Sequence, residues 1–144
     1  MTTVTDLRVR LQKIDISFQA GEAINDTKET VIDKQRDQLL HGLRADGTLI
    51  GKYRNKVYAA KKFAQNPLAG FGNMDWKLTG SLHRELFVDV RNDLYVIDSA
   101  DEKTGGLSQQ FKDPFGLTKE SQQSYIDEKL RSVFIERVKK ESGL

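Results

Sequence analysis

The segment from Glu85 to Asp98 alternates apolar and polar side chains across a two-residue break, and few architectures accept such a pattern. Leu86, Val88 and Val90 alternate with Glu85, Phe87, Asp89 and Arg91; Leu94, Val96 and Asp98 then alternate with Tyr95 and Ile97. A period of two sends successive side chains to opposite faces, so both runs read as half-buried strands. Asn92-Asp93 between them is suited to a hairpin turn, which makes the pair antiparallel. An isolated hairpin is marginal in water and needs a cover on its apolar face.

Helical spacing elsewhere supplies that cover. From about Gly21 to Leu43, Ile24, Val31, Ile32, Leu39 and Leu40 fall near one face, while Lys28 and Gln35 interrupt the stripe. At 1.5 Å per residue this helix would reach about 33 Å, long enough to lie across a sheet. A shorter helix over 4–14 carries Leu7, Leu11 and Ile14. Thr118 is placed to N-cap a last helix with Glu120 near its positive end, and Tyr125, Ile126, Leu130, Val133, Phe134 and Val138 form its apolar face. The fold expected is α+β: one domain over 1–144, with a small antiparallel sheet of three to five strands packed by the long N-terminal helix and the C-terminal helix. Residues 1–20 form an arm or short helix, and 99–117, with Gly105-Gly106, Pro114 and Gly116, form a long loop.

Between the long helix and the hairpin the order of elements is unusual. Asp46-Gly47 makes a turn, combining a side-chain acceptor with a residue that tolerates positive φ. Residues 54–65 return to helical spacing through Val57, Ala60 and Phe63 or Ala64, and Asn66-Pro67 ends that helix. Pro67 to Met74 reads as an ordered loop pinned by Phe71. Leu78-Thr79-Gly80 then opens a strand from Ser81 onward, Gly80 permitting the tight backbone there.

Charge matters through its distribution. The net charge of the 144 residues is only +2, yet residues 51–80 hold Lys52, Arg54, Lys56, Lys61, Lys62 and Lys77 against Asp75 alone. Residues 81–113 hold four cations against seven carboxylates. Oppositely charged surfaces on one small chain suit head-to-tail association of identical copies. With 38% hydrophobic and 31% charged residues the chain is polar, though not disordered by composition. The start, MTTVTDLRVRLQKID, has no apolar run of signal-peptide length, and no run approaches the roughly 20 apolar residues of a membrane helix. A chain made and used without export or membrane is expected.

Catalytic motifs are weak throughout. There are no cysteines, and His41 and His83 show no metal-ligand spacing. Ser81 and His83 would share a strand face at i and i+2, but nothing positions an oxyanion hole for a hydrolase. Gly70-Phe71-Gly72 lacks the flanking strand and the Gly-Lys-Ser/Thr of a phosphate loop. Asp101-Glu102 has no apolar wall to raise a carboxyl pKa. No cofactor or metal is implied. The segment Lys52-Tyr53-Arg54-Asn55-Lys56-Val57-Tyr58 with Lys61, Lys62 and Phe63 mixes cations and aromatics as nucleic-acid binders do. Helical spacing would gather Lys52, Lys56 and Lys62 on one side. The plainer reading makes Tyr53, Tyr58 and Phe63 core or interface anchors.

Taken in order, these segments resemble the small tail-completion and neck proteins of tailed bacteriophages. The matching residues are Gly42 with Asp46-Gly47, Tyr53 and Tyr58 with Lys61-Lys62, Leu78-Thr79-Gly80-Ser81-Leu82, the strands ELFVDV and DLYVID, and Phe115-Gly116-Leu117-Thr118 before the last helix. They span about residues 35–138. The chain departs from that pattern at Lys112-Asp113-Pro114, where the family often carries an Arg-Pro pair.

The resemblance implies a non-enzymatic virion component, present in the host bacterial cytoplasm during assembly. It would form a hexameric or dodecameric ring between head connector and tail, with a channel for DNA. The partners implied are further copies, portal or tail proteins, and DNA contacted nonspecifically. Lys52, Arg54, Lys56, Lys61, Lys62 and Phe71 are then interface or channel candidates, and Asp46, Gly47, Leu78, Thr79 and Gly80 a structural motif. The alternative is a nucleic-acid-binding accessory protein using residues 51–62.

Overall fold

A computed structural model describes residues 3–77, 80–101 and 115–143. Helix α1, Val4–Gln12, starts at a capping box: the Asp6 amide donates to the Thr3 hydroxyl at 3.1 Å and the Thr3 amide to the Asp6 carboxylate at 3.0 Å. None of its residues is buried. Helix α2, Ile16–Leu40, begins about five residues earlier than apolar spacing indicates. Asp15 caps it, accepting the Phe18 amide at 3.0 Å. It ends in a Schellman arrangement, with Gly42 at φ 73° and the amides of Gly42 and Leu43 bonded to the carbonyls of Leu39 and Gln38.

The buried side of α2 is more polar than its aliphatic stripe. Gln35 does not interrupt that stripe; it is fully buried, as Gln38 nearly is. Gln35 Oε1 accepts the Gly116 amide at 2.8 Å, and Gln38 Oε1 the Thr118 amide at 2.9 Å, while Gln38 Nε2 donates to the Gly116 carbonyl at 2.7 Å. Two glutamines thus satisfy the backbone of the stretch that starts the last helix. That helix comprises α5, Lys119–Tyr125, a π-helical segment Ile126–Leu130, and α6, Arg131–Ser142. Thr118 caps it as expected, accepting the Ser121 amide at 3.2 Å.

The sheet has two strands among the described residues, where three to five were expected. Strand β1, Leu86–Arg91, pairs antiparallel with β2, Leu94–Ser99, around Asn92-Asp93, with Asn92 at φ 56°. Leu86 and Ile97 face α2 and join Val31, Ile32, Leu39, Ile50, Trp76, Leu82, Leu117 and Tyr125 in the core. Tyr125 also shares a 2.6 Å hydrogen bond with buried Thr27 of α2. At Gly21 any side chain would collide with the hairpin, because a Cβ there would lie 2.0 Å from the Asn92 carbonyl oxygen. The architecture is α+β: long N-terminal helix, antiparallel hairpin and C-terminal helix.

One expectation fails in the middle of the chain. Ser81 does not begin a strand. Gly80, at φ 84°, precedes a single helical turn, α4, Ser81–Arg84, and the extended backbone starts only at Leu86. Leu78 and Thr79 lie outside the described residues, as does 102–114 of the long loop. No described helix is long and apolar enough to cross a membrane.

Candidate assembly surface on helix α3

Helix α3, Lys56–Gln65, is capped by Asn55, whose side chain accepts the amides of Val57 and Tyr58 at 2.9 and 3.0 Å. Its orientation is the reverse of an ordinary amphipathic helix. Ala59 and Lys62 are its buried residues. The stripe Val57, Ala60 and Ala64, which marks the helix in the sequence, faces outward, with Val57 81% exposed. Phe63 stands beside it and meets Phe71 edge-on, ring centroids 5.9 Å apart. Both rings are exposed, as is Leu68 in the 3-10 turn Pro67–Ala69. Phe71 therefore ties its loop to α3 from the outside.

What holds α3 in this orientation is a buried polar network centred on Asp75. Its Oδ1 lies 3.0 Å from Lys62 Nζ and accepts the Lys77 amide at 2.9 Å; its Oδ2 accepts from Asn66 at 2.9 Å. The Lys62 ammonium also donates to the Lys77 carbonyl. Asn66, the residue that stops α3, donates as well to the Leu40 carbonyl at 2.8 Å, joining the network to the end of α2. Burial works to raise the Asp75 pKa, but the bonds from Asn66, Lys77 and Lys62 outweigh it and hold the carboxyl below its ordinary range. Burial, reinforced by the Asp75 charge, pushes the Tyr53 phenol up to about 12.

His83 completes this framework. Its Nε2 lies 2.9 Å from the Asp75 carbonyl oxygen, so that nitrogen carries the proton, and its own carbonyl accepts from Arg36 Nε at 2.7 Å. Burial lowers its pKa against the opposing pull of Asp75. Ser81 donates instead to Asp101 at 2.7 Å. The shared strand face expected for Ser81 and His83 is absent, since both stand on the α4 turn.

The predicted site residues separate into two groups. Lys56 and Lys61 are exposed on α3, and Arg54 is exposed just ahead of it. Lys52 is exposed but not helical: it forms an isolated antiparallel bridge with Asn73, flanked by Tyr53 N–Gly72 O and Met74 N–Gly51 O bonds of 2.8 and 2.9 Å. Lys62 departs from the expected cationic side altogether, being 7% exposed and ion-paired. Asp46 and Gly47 make the expected turn, with the Thr48 amide on Asp46 Oδ1 at 2.9 Å and Gly47 at φ 83°.

Val57 at the start of α3, and Phe63, Leu68 and Phe71 around its end, are thus left exposed, with Lys56 and Lys61 exposed on the same helix. Several large exposed apolar side chains on one short segment favour contact with another macromolecule. Among the described residues no cluster of three or more His, Asp or Glu side chains is placed to hold a metal ion. In comparisons with known proteins, no family model, no curated protein and no solved structure matches this chain.

Proposed function

We propose that this chain is a non-enzymatic structural component of a tailed-bacteriophage virion, assembling in the host bacterial cytoplasm. Copies associate into a hexameric or dodecameric ring in the neck or tail-completion region, joining the head connector to the tail around a DNA channel. The observation that carries this reading is the outward apolar stripe of α3. A helix anchored by a buried ion pair, whose desolvation is costly, leaves its apolar side available to a neighbour. The resemblance of residues 35–138 to neck and tail-completion proteins supplies the virion context. Lys52, Arg54, Lys56 and Lys61 border the contact or face the channel. Negative-stain electron microscopy of the purified protein, alone and with portal or tail complexes, is expected to reveal closed rings; particles of monomer size in all mixtures contradict the proposal.

The same cations favour a second reading, a nucleic-acid-binding accessory protein. They flank Tyr53 and Tyr58 in the sequence, and the two rings meet edge-on at 5.0 Å. Monomers that bind DNA with an affinity falling steeply as salt rises would favour this reading over the ring.

A further inference from the structure

We infer that the surface mating with α3 is the outer face of the β1–β2 hairpin on a second copy of the chain, in a head-to-tail contact. This rests on the self-association proposed above and specifies which surfaces meet. The register sets Phe87 opposite Asp98, Asp89 opposite Val96, and Arg91 opposite Leu94. These six residues share the face turned away from α2. Phe87, Val96 and Leu94 are 42%, 43% and 69% exposed, an apolar strip like that of Val57, Phe63 and Phe71.

The two surfaces carry opposite charge. The hairpin face carries Asp89 and Asp98 against Arg91, which pairs with Asp89 at 2.8 Å, and Glu85 and Asp93 flank it in the chain. Residues 52–61 contain four cations and no carboxylate. A symmetric contact of α3 with α3 would set Lys56 and Lys61 against their own copies, and hairpin against hairpin would oppose carboxylates. Only α3 against hairpin joins unlike charges while covering both apolar strips. That contact is heterologous, and it closes into a ring when the rotation between copies closes.

Two double variants test the pairing, Lys56→Glu/Lys61→Glu on α3 and Asp89→Lys/Asp98→Lys on the hairpin, each with its fold checked by circular dichroism. In sedimentation velocity each variant alone is expected to self-associate at least about tenfold more weakly than wild type, because like charges now face each other. An equimolar mixture is expected to recover wild-type-sized assemblies, since each copy supplies the charge its neighbour lacks. Phe87→Ser/Val96→Ser, which alters no charge, is expected to weaken association in both wild type and mixture. Full assembly by both charge variants alone, or no recovery on mixing, overturns the pairing while leaving self-association standing. A monomeric wild type overturns both.

Discussion

Lys62 Nζ and Asp75 Oδ1 lie 3.0 Å apart with both side chains withdrawn from solvent, while the neighbouring Lys61 is exposed. Adjacent lysines in one helix thus do opposite things. Removing one partner of a buried pair leaves an uncompensated charge, and Lys62→Met is expected to cost about 3 kcal/mol or more. Lys61→Met, which leaves the fold untouched, is expected to stay within about 0.5 kcal/mol of wild type. Urea denaturation of the two variants, measured on monomers at low concentration, checks the contrast; equal midpoints would show that the pair does not anchor α3.

Acid is expected to loosen the same framework in two stages. The His83 pKa is lowered in the folded chain, so the unfolded chain takes up that proton first; the stabilisation is full above about 6.5 and is lost as pH falls toward the folded value. Asp75 is lowered from 3.8, so its contribution is full above about that value and is lost as pH falls from there through the folded pKa. Thermal melts across this range are expected to show a first decline below pH 6.5 that is missing in His83→Gln, whose amide does not titrate. A decline of the same size in that variant would remove His83 from the account.

Gly21 fixes how closely the hairpin approaches α2. A Cβ there meets the Asn92 carbonyl oxygen at 2.0 Å, a backbone atom with no rotamer to change. Gly21→Ala is expected to destabilise by about 1–3 kcal/mol and to speed amide exchange in β1 and β2 before other regions. Unchanged exchange in the hairpin would contradict this packing.

Much of the architecture was legible because it rests on local chemistry. The hairpin followed from period two around Asn92-Asp93, the last helix from Thr118, and the end of α3 from Asn66-Pro67. The early start of α2 was marked by Asp15, a cap the apolar stripe alone does not reveal. Long-range satisfaction of polar groups was not legible. Nothing local announces that Gln35 and Gln38 bind the backbone at Gly116 and Thr118, or that Lys62 finds Asp75. The stripe Val57, Ala60 and Ala64 located a helix correctly but carried no sign of which way it faces. That direction is set by the buried ion pair, through residues the apolar pattern ignores. Likewise Gly80 allows positive φ before a helical turn as readily as before a strand.

The most direct measurement is native mass spectrometry of the wild type beside Val57→Glu/Phe71→Glu, two changes at exposed positions outside the Asp75 network. The wild type is expected to give closed species of six or twelve copies, and the variant folded monomers. A wild type that stays monomeric, alone and with head or tail extracts, or a variant that assembles like the wild type, would contradict this.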